Sequence, residues 1–164
     1  MKRIRFRKQW GSHLPVLIRA MELTNGPVLE LGSGLYSTPF LHWECLRKGR
    51  RLVTLESEED WFRLVEQYKT EWHDVKFVRD WDKEDVDYKW SVVLVDHVGE
   101  RRGKDMLRIR GAQIIVVHDA EGKYLKEYGI EKASKEFVWK WRYKEARPFT
   151  MVVSNTWNLS GFHV

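Results

Sequence analysis

The chain has 164 residues, 43% of them hydrophobic and 32% charged, with a formal net charge of +5 and one cysteine. This length and balance suit a single soluble domain over residues 1–164 and exclude a disordered chain or a disulfide scaffold. No apolar run approaches the roughly 18 residues of a membrane span, and no apolar stretch follows the basic N-terminus as a secretory signal requires, so no membrane association and a cytoplasmic address are expected.

Residues 1–12 read as a basic arm carrying Lys2, Arg3, Arg5, Arg7 and Lys8. Such an arm can contact nucleic acid or can be a solvated terminus. Residues 13–24 follow as an N-terminal helix, with helical apolar spacing from His13 to Leu23 and a stop at Asn25-Gly26. "PVLEL" is a short buried strand. The next helix is expected to start at Pro39 with Ser37 or Thr38 as N-cap and to close at Gly49. "RLVTLE" is the second strand. Ser57 with Glu58, Glu59 and Asp60 predicts an acidic, capped helix entry running to about Thr70. "VKFV" and "WSVVLVD" are strands three and four, followed by a polar loop and helix from Gly99 to Arg110 and by "AQIIVV", strand five. "EFVWKWRY" and "FTMVVSN" alternate like an antiparallel pair joined near Pro148. Of nine tryptophans, Trp43, Trp61, Trp72, Trp90, Trp139 and Trp141 fall in these elements, where core or half-buried packing is expected.

Apolar strands alternating with amphipathic helices predict an α/β fold whose parallel sheet is covered on both faces. Ligands of such sheets bind beyond the carboxyl ends of the strands. Glu30, Glu56, Asp80, Asp96 and the pair His118-Asp119 close five consecutive strands, and apolar packing does not account for them. Gly32 and Gly34 allow a sharp turn and close backbone approach to a ligand, and the following helix start offers free N–H groups. Glu56 lies 22 positions after Gly34, where an acid can accept ribose hydroxyls of an adenosine-containing cofactor. A dinucleotide site prefers a third glycine where this chain has Ser37.

"VLELGSG", "VTLE", "VRDW" and "VVLVD" resemble the successive motifs of class I S-adenosylmethionine-dependent methyltransferases, a likeness covering Pro27 to Asp119 and extending to the final pair of strands. It implies a Rossmann-like three-layer α/β sandwich with a seven-stranded, mostly parallel sheet whose last strand is antiparallel. It also implies S-adenosyl-L-methionine as cofactor. The methionine end would lie on Gly32, Ser33 and Gly34, the ribose on Glu56, and the adenine by Asp80 and Trp81; Glu30 and Ser37 complete the cofactor set. "VDHVGERRGKD" resembles an Asp-Gly-Pro…Gly-x-Arg stretch of some methyltransferase-like proteins, with His97 and Val98 in place of Gly-Pro.

Asp96, His97, His118 and Asp119 are expected side by side as the catalytic group, facing a small-molecule acceptor. Two arrangements fit. His97 or His118 can act as general base, or Asp96 and Asp119 can hold a divalent metal that acidifies an acceptor hydroxyl. The second resembles the metal-dependent O-methyltransferase branch, with His118 where that branch supplies oxygen, which admits a softer ion. "DHVGE" lacks the Asn/Asp-Pro-Pro-aromatic signature of base N-methyltransferases, and Cys45 lies within a helix, unlike a nucleophile for cytosine C5 methylation. Arg101 and Arg102 either bind an anionic acceptor or belong to a solvated loop. The expected function is methyl transfer to a small molecule, at oxygen. The alternative is a non-catalytic module of the same fold that binds nucleic acid through the arm, and a homodimer that completes the site is compatible with either.

Overall fold

The computed structural model describes residues 7–164. Lys2, Arg3 and Arg5, which carry most of the expected basic arm, lie outside the described residues. The elements are α1 (Leu14–Leu23), β1 (Val28–Leu31), α2 (Ser37–Lys48), β2 (Leu52–Glu56), α3 (Glu59–Val65), β3 (His73–Phe77), β4 (Val92–Val95), α4 (Arg102–Arg108), β5 (Ile114–Val117), α5 (Tyr124–Glu127), α6 (Ile130–Ser134), β6 (Trp139–Tyr143) and β7 (Thr150–Ser154). Short 3₁₀ turns occupy Lys8–Gly11, Glu66–Tyr68 and Gly99–Arg101.

The seven strands form one sheet in the order β3-β2-β1-β4-β5-β7-β6. β1 pairs in parallel with β2 and β4, and β3 and β5 extend the parallel set. β7 is antiparallel to both β5 and β6 and is thus the one strand running against the rest. This is the Rossmann-like architecture expected from the sequence. The strand order reverses between β1 and β4, which opens a crevice at their carboxyl ends.

β1, β4 and β5 are buried at every position because helices cover both faces of the sheet. Leu29, Leu31, Val93, Val95, Ile115 and Val117 pack with Met106 and Ile109 around α4 and with Ile130 and Ala133 of α6. The alternate residues Val28, Leu52, Val92, Leu94, Ile114 and Val116 pack against Val16, Leu17, Ala20 and Met21 of α1 and Leu41 and Cys45 of α2. Burying a side chain of this size contributes about 1.5–3 kcal/mol, so the two faces together supply the main driving force for folding.

Several boundaries differ from expectation for local reasons. α2 starts at Ser37, not Pro39, and neither Ser37 nor Thr38 caps it. Their hydroxyls turn instead toward the buried Glu30 carboxylate. Gly49 does close this helix, at φ +62°, with its N–H on the Cys45 and Leu46 carbonyls. α3 has Glu58, not Ser57, at its N-cap and ends at Val65, short of Thr70. Trp43, expected to be buried or half-buried, is 61% exposed on α2, whereas Trp90 is in the core.

Candidate active site

A cavity of about 440 Å³ lies over the carboxyl ends of β1, β2, β4 and β5. Its floor is the turn after β1. Gly32 there has φ +87°, and a Cβ at that position would stand 2.5 Å from the His97 backbone nitrogen. The loops after β1 and β4 therefore touch through a position only glycine can fill. The Gly32 N–H donates to the Leu55 carbonyl, and the Asp96 N–H to the Leu31 carbonyl, which sets the loop geometry from the sheet itself.

Glu56 stands at the end of β2 with both carboxylate oxygens occupied. The Ser33 N–H and hydroxyl donate to Oε2 at 2.8 and 2.7 Å, and the N–H groups of Ser57 and Glu58 donate to Oε1 at 2.7 and 2.8 Å. A carboxylate offers about four acceptor sites, so Glu56 is saturated.

Glu30 faces the opposite way, into the layer between the sheet and α2. It is fully buried and accepts from Thr38 at 2.9 Å and from Thr54 at 2.8 Å. Burial raises its carboxyl to about 7, and the Ser37, Thr54 and Thr38 hydroxyls limit the rise. The chain of partners continues from Thr54 to His73 Nε2 (2.9 Å) and from His73 Nδ1 to His42 Nδ1 (3.0 Å). With Thr54 donating to Glu30, His73 Nε2 must carry a proton, and His42 must donate to His73. All donors in this buried relay point toward Glu30. The Gly34 N–H donates to Thr38 Oγ1 at 3.0 Å, which ties the glycine turn to the same network. Glu30 thus supports the turn from beneath and does not line the cavity.

At the other end of the cavity Asp96, His118 and Asp119 meet around Arg102. The Arg102 guanidinium lies 3.0 Å from Asp96 Oδ1 and 2.9 Å from Asp119 Oδ2, and it also donates to the His97 and His118 carbonyls. The cation expected between the two carboxylates is therefore an arginine. An ion shared by Asp96 and Asp119, as expected from the sequence, would have to displace this guanidinium. Arg102 itself is buried, not in a solvated loop, and its guanidinium stacks 5.1 Å from the Tyr128 ring.

His118 Nδ1 is 3.1 Å from both Asp96 oxygens, and Nε2 is 2.9 Å from Ser12 Oγ. The Ser12 hydroxyl donates its single proton to the Pro148 carbonyl at 2.7 Å, so it accepts from His118. Both ring nitrogens then carry protons. Burial pulls the other way, but the Asp96 carboxylate raises the His118 pKa, in keeping with an imidazolium. Burial likewise opposes ionisation of Asp96, yet His118 and Arg102 hold its carboxyl well below the usual range. Ser12, His118 and Asp96 have the connectivity of a nucleophilic triad, but the serine proton points away from the base.

Asp119 has φ +54°, the one non-glycine residue in that region among the described residues. Its Oδ2 is held by Arg102, while Oδ1 is 4.0 Å from His118 Nδ1, beyond hydrogen-bond range. A strained backbone that presents a carboxylate oxygen to a cavity is a common mark of a working site.

Of the twelve residues expected at the site, Gly32, Ser33, Ser37, Glu56, Asp96, His97, His118 and Asp119 line this cavity. His97 does so without its ring, which is fully buried on Asp105 (2.7 Å) and against Trp81 (4.5 Å). Burial lowers the His97 pKa despite Asp105, and the ring is turned away from any acceptor. Asp80 and Trp81 are not brought to the cavity. Asp80 is half-exposed and pairs with Lys83 at 3.3 Å, and Trp81 joins the core on the α4 side. The chain after β3 turns down onto α4, where Arg108 binds the Trp81 carbonyl, which takes the indole beneath the sheet edge. Cys45 is buried and its thiol is pushed up to about 12, so it is no nucleophile at neutral pH.

The cavity has a roof that the sequence motifs did not announce. Trp10 of the N-terminal 3₁₀ turn packs edge-on against Trp61 of α3 at 5.5 Å, and the turn rests on Tyr36 through Gly11. The apolar spacing of α3 could have flagged Trp61, which falls among acidic residues at the helix start. Nothing in the local sequence marks Trp10, and Arg102, read as a binder of an anionic acceptor or as part of a solvated loop, is found joining two carboxylates.

No protein-family model and no curated protein matches this sequence, whereas solved structures do. The cofactor-bound protein Rv0187 from MTB is 18% identical with a TM-score of 0.67, and the match covers 95% of this chain and 84% of that one. A putative O-methyltransferase from Klebsiella pneumoniae is 12% identical at the same TM-score of 0.67 and the same coverage, 95% and 84%. The SAH-bound Podospora anserina methyltransferase PaMTH1 is 8% identical with a TM-score of 0.68, over 91% of this chain and 79% of that one. At these identities the likeness establishes the fold alone, the Rossmann-like architecture that this chain shares with those proteins.

Proposed function

We propose that this chain is an S-adenosylmethionine-dependent methyltransferase acting on a hydroxyl of a small molecule. The observation that carries the reading is Asp119 in the lining of a cavity whose other end is the Gly32 turn and Glu56, with Oδ2 held by Arg102 and Oδ1 beyond hydrogen-bond range of His118. Structural neighbours with a bound cofactor or its demethylated product support the choice of donor, and two neighbours described as O-methyltransferases, from Klebsiella pneumoniae and Bacillus cereus, support oxygen as acceptor.

The residues present fit that cofactor. The Gly32 cradle is one a Cβ would fill, and Glu56 stands at the β2 end, where a ribose diol is bound in this fold. When bound, S-adenosylmethionine supplies an electrophilic methyl group on a sulfonium. Gly32 and Ser33 would hold its methionine end and Glu56 its ribose. Methyl transfer requires the acceptor oxygen to be aligned and relieved of its proton. His118 cannot take that proton, because both ring N–H groups are committed. Its role is to hold Asp96 and, with Arg102, to fix the wall on which the acceptor rests. Asp119 Oδ1 accepts the hydroxyl hydrogen and orients the lone pair for attack, an arrangement that favours an acidic hydroxyl, phenolic or enolic, over a simple alcohol.

The test is transfer of labelled methyl from S-adenosylmethionine to a panel of phenolic and enolic acceptors. Asp119→Asn should lower kcat by about 10²–10⁴-fold while leaving affinity for S-adenosylhomocysteine unchanged, since proton transfer contributes on that scale. Full activity in this variant would place the chemistry elsewhere.

A further inference from the structure

We propose that His13, Asp96 and His118 form a binding site for a divalent ion of the zinc or cobalt class. The starting point is His13, which stands just before α1 and outside every motif of the fold. It is 1% exposed, and neither ring nitrogen has a hydrogen-bond partner. Buried polar groups are almost always satisfied, and one left alone costs about 1–3 kcal/mol. The ring sits edge-on to His118 with centroids 4.7 Å apart, and one donor atom from each of His13, Asp96 and His118 lies within 4.8 Å of the others.

The surroundings of the trio are those of a ligand set. His118 Nε2–H is fixed by Ser12, which leaves Nδ1, the nitrogen facing Asp96, to bind an ion in place of its proton. Ligating histidines are commonly oriented by such an outer hydrogen bond. Asp96 is oriented in the same way by Arg102 at 3.0 Å. Arg102 closes the Asp119 side of Asp96, so the ion lies toward His13 and not between the two carboxylates. Two imidazoles and one carboxylate select a borderline ion over magnesium or calcium, which favour all-oxygen sets. Bonds of about 2.0–2.2 Å place donors roughly 3–3.5 Å apart, so binding draws the set together by about 1 Å. Asp96 and His118 also line the cavity, which leaves the ion's remaining positions open to it.

This site stands on His13 and its neighbours, whether or not the chain transfers methyl groups, and it is tested without donor or acceptor. The full chain is titrated with Co²⁺ by visible absorption and with Zn²⁺ and Mg²⁺ by calorimetry. We expect one equivalent of Co²⁺ with resolved d–d bands, displacement by Zn²⁺, and no response to Mg²⁺. His13→Ala and His118→Ala should each weaken Co²⁺ binding at least tenfold, whereas His42→Ala, in the other buried histidine pair, should leave it unchanged. Melting curves without ions establish that each variant is folded, and His13→Gln stands in for His13→Ala if that variant is not. Absence of stoichiometric Co²⁺ or Zn²⁺ binding by the intact chain overturns the proposal, as does undiminished binding in a folded His13 variant.

Discussion

Ser33 and Glu56 show how much a single hydroxyl can decide. The Ser33 side chain fills an acceptor site on Glu56 that a ribose hydroxyl would need. Ser33→Ala should therefore tighten binding of S-adenosylhomocysteine by about tenfold or more, the worth of one hydrogen bond to a carboxylate no longer displaced. Glu56→Ala should weaken it by about 2–3 kcal/mol, as two charge-assisted bonds are lost. It should also lower the melting temperature of the free protein, because Glu56 anchors three backbone N–H groups. Calorimetry on the two variants separates the effects, and equal weakening by both would contradict the ribose assignment. Glu30 offers a test by pH. Its carboxyl rises from the ordinary glutamate value of 4.5 to about 7 in the fold, so between those values the folded chain binds more protons than the unfolded one. Stability from this group falls as pH rises through that window and is flat above it, by roughly 3 kcal/mol in all. His13 and His73, lowered to about 4 chiefly by burial, work in the opposite direction over much of the same range. Urea denaturation of Glu30→Gln beside the parent cancels those histidines. The difference should move in favour of the glutamine variant from about pH 4.5 to 7 and then stop changing.

Residue by residue, legibility depended on whether backbone or tertiary packing sets the position. Gly32, Glu56, Asp96, His118 and Asp119 could be read because strand ends are visible as the place where apolar runs stop. Asp80 and Trp81 satisfied the same rule, yet the path of the chain beyond β3 removes them, and hydrophobic pattern carries no information on that path. Arg102 sits in "GERRGKD", a run that looks solvated. Only the meeting of β4 and β5 gives it two carboxylates to join.

Among the elements, the turn between β1 and α2 is the most constrained. Gly32→Ala would force a side chain onto a φ of +87° and to 2.5 Å from the His97 backbone. The expected cost is about 2–4 kcal/mol, combining left-handed strain with displacement of the β4 loop, and it should appear as a lower denaturation midpoint with an unchanged m-value. A loss below about 0.5 kcal/mol would mean that the two loops do not meet as described. The central strands β1, β4 and β5 were legible, since largely apolar runs of four residues bounded by polar residues have few alternatives in an α/β chain. Helix starts were less so. Ser37 and Thr38 have the chemistry of caps, but a buried carboxylate competes for their hydroxyls and wins, because an unpaired Glu30 would cost more than an uncapped helix.

For the whole molecule, the strand order and the single antiparallel strand β7 follow from the alternation of elements and from the pattern of the last two strands. The roof does not. Trp10 reaches Trp61 only because the N-terminal turn folds back over the strand ends, a contact between residues far apart in sequence. None of the helices among the described residues is long and apolar enough to cross a membrane. The central claim is that the crevice at the β1–β4 switch point is built for S-adenosylmethionine. Calorimetric titration of the intact chain with S-adenosylmethionine, S-adenosylhomocysteine and NAD tests it most directly. The Gly32 cradle and Ser37 in place of a third glycine predict one site for either sulfur ligand, with NAD at least tenfold weaker, a difference of about 1.4 kcal/mol or more. Tighter binding of NAD, or no binding of any of the three, would contradict it.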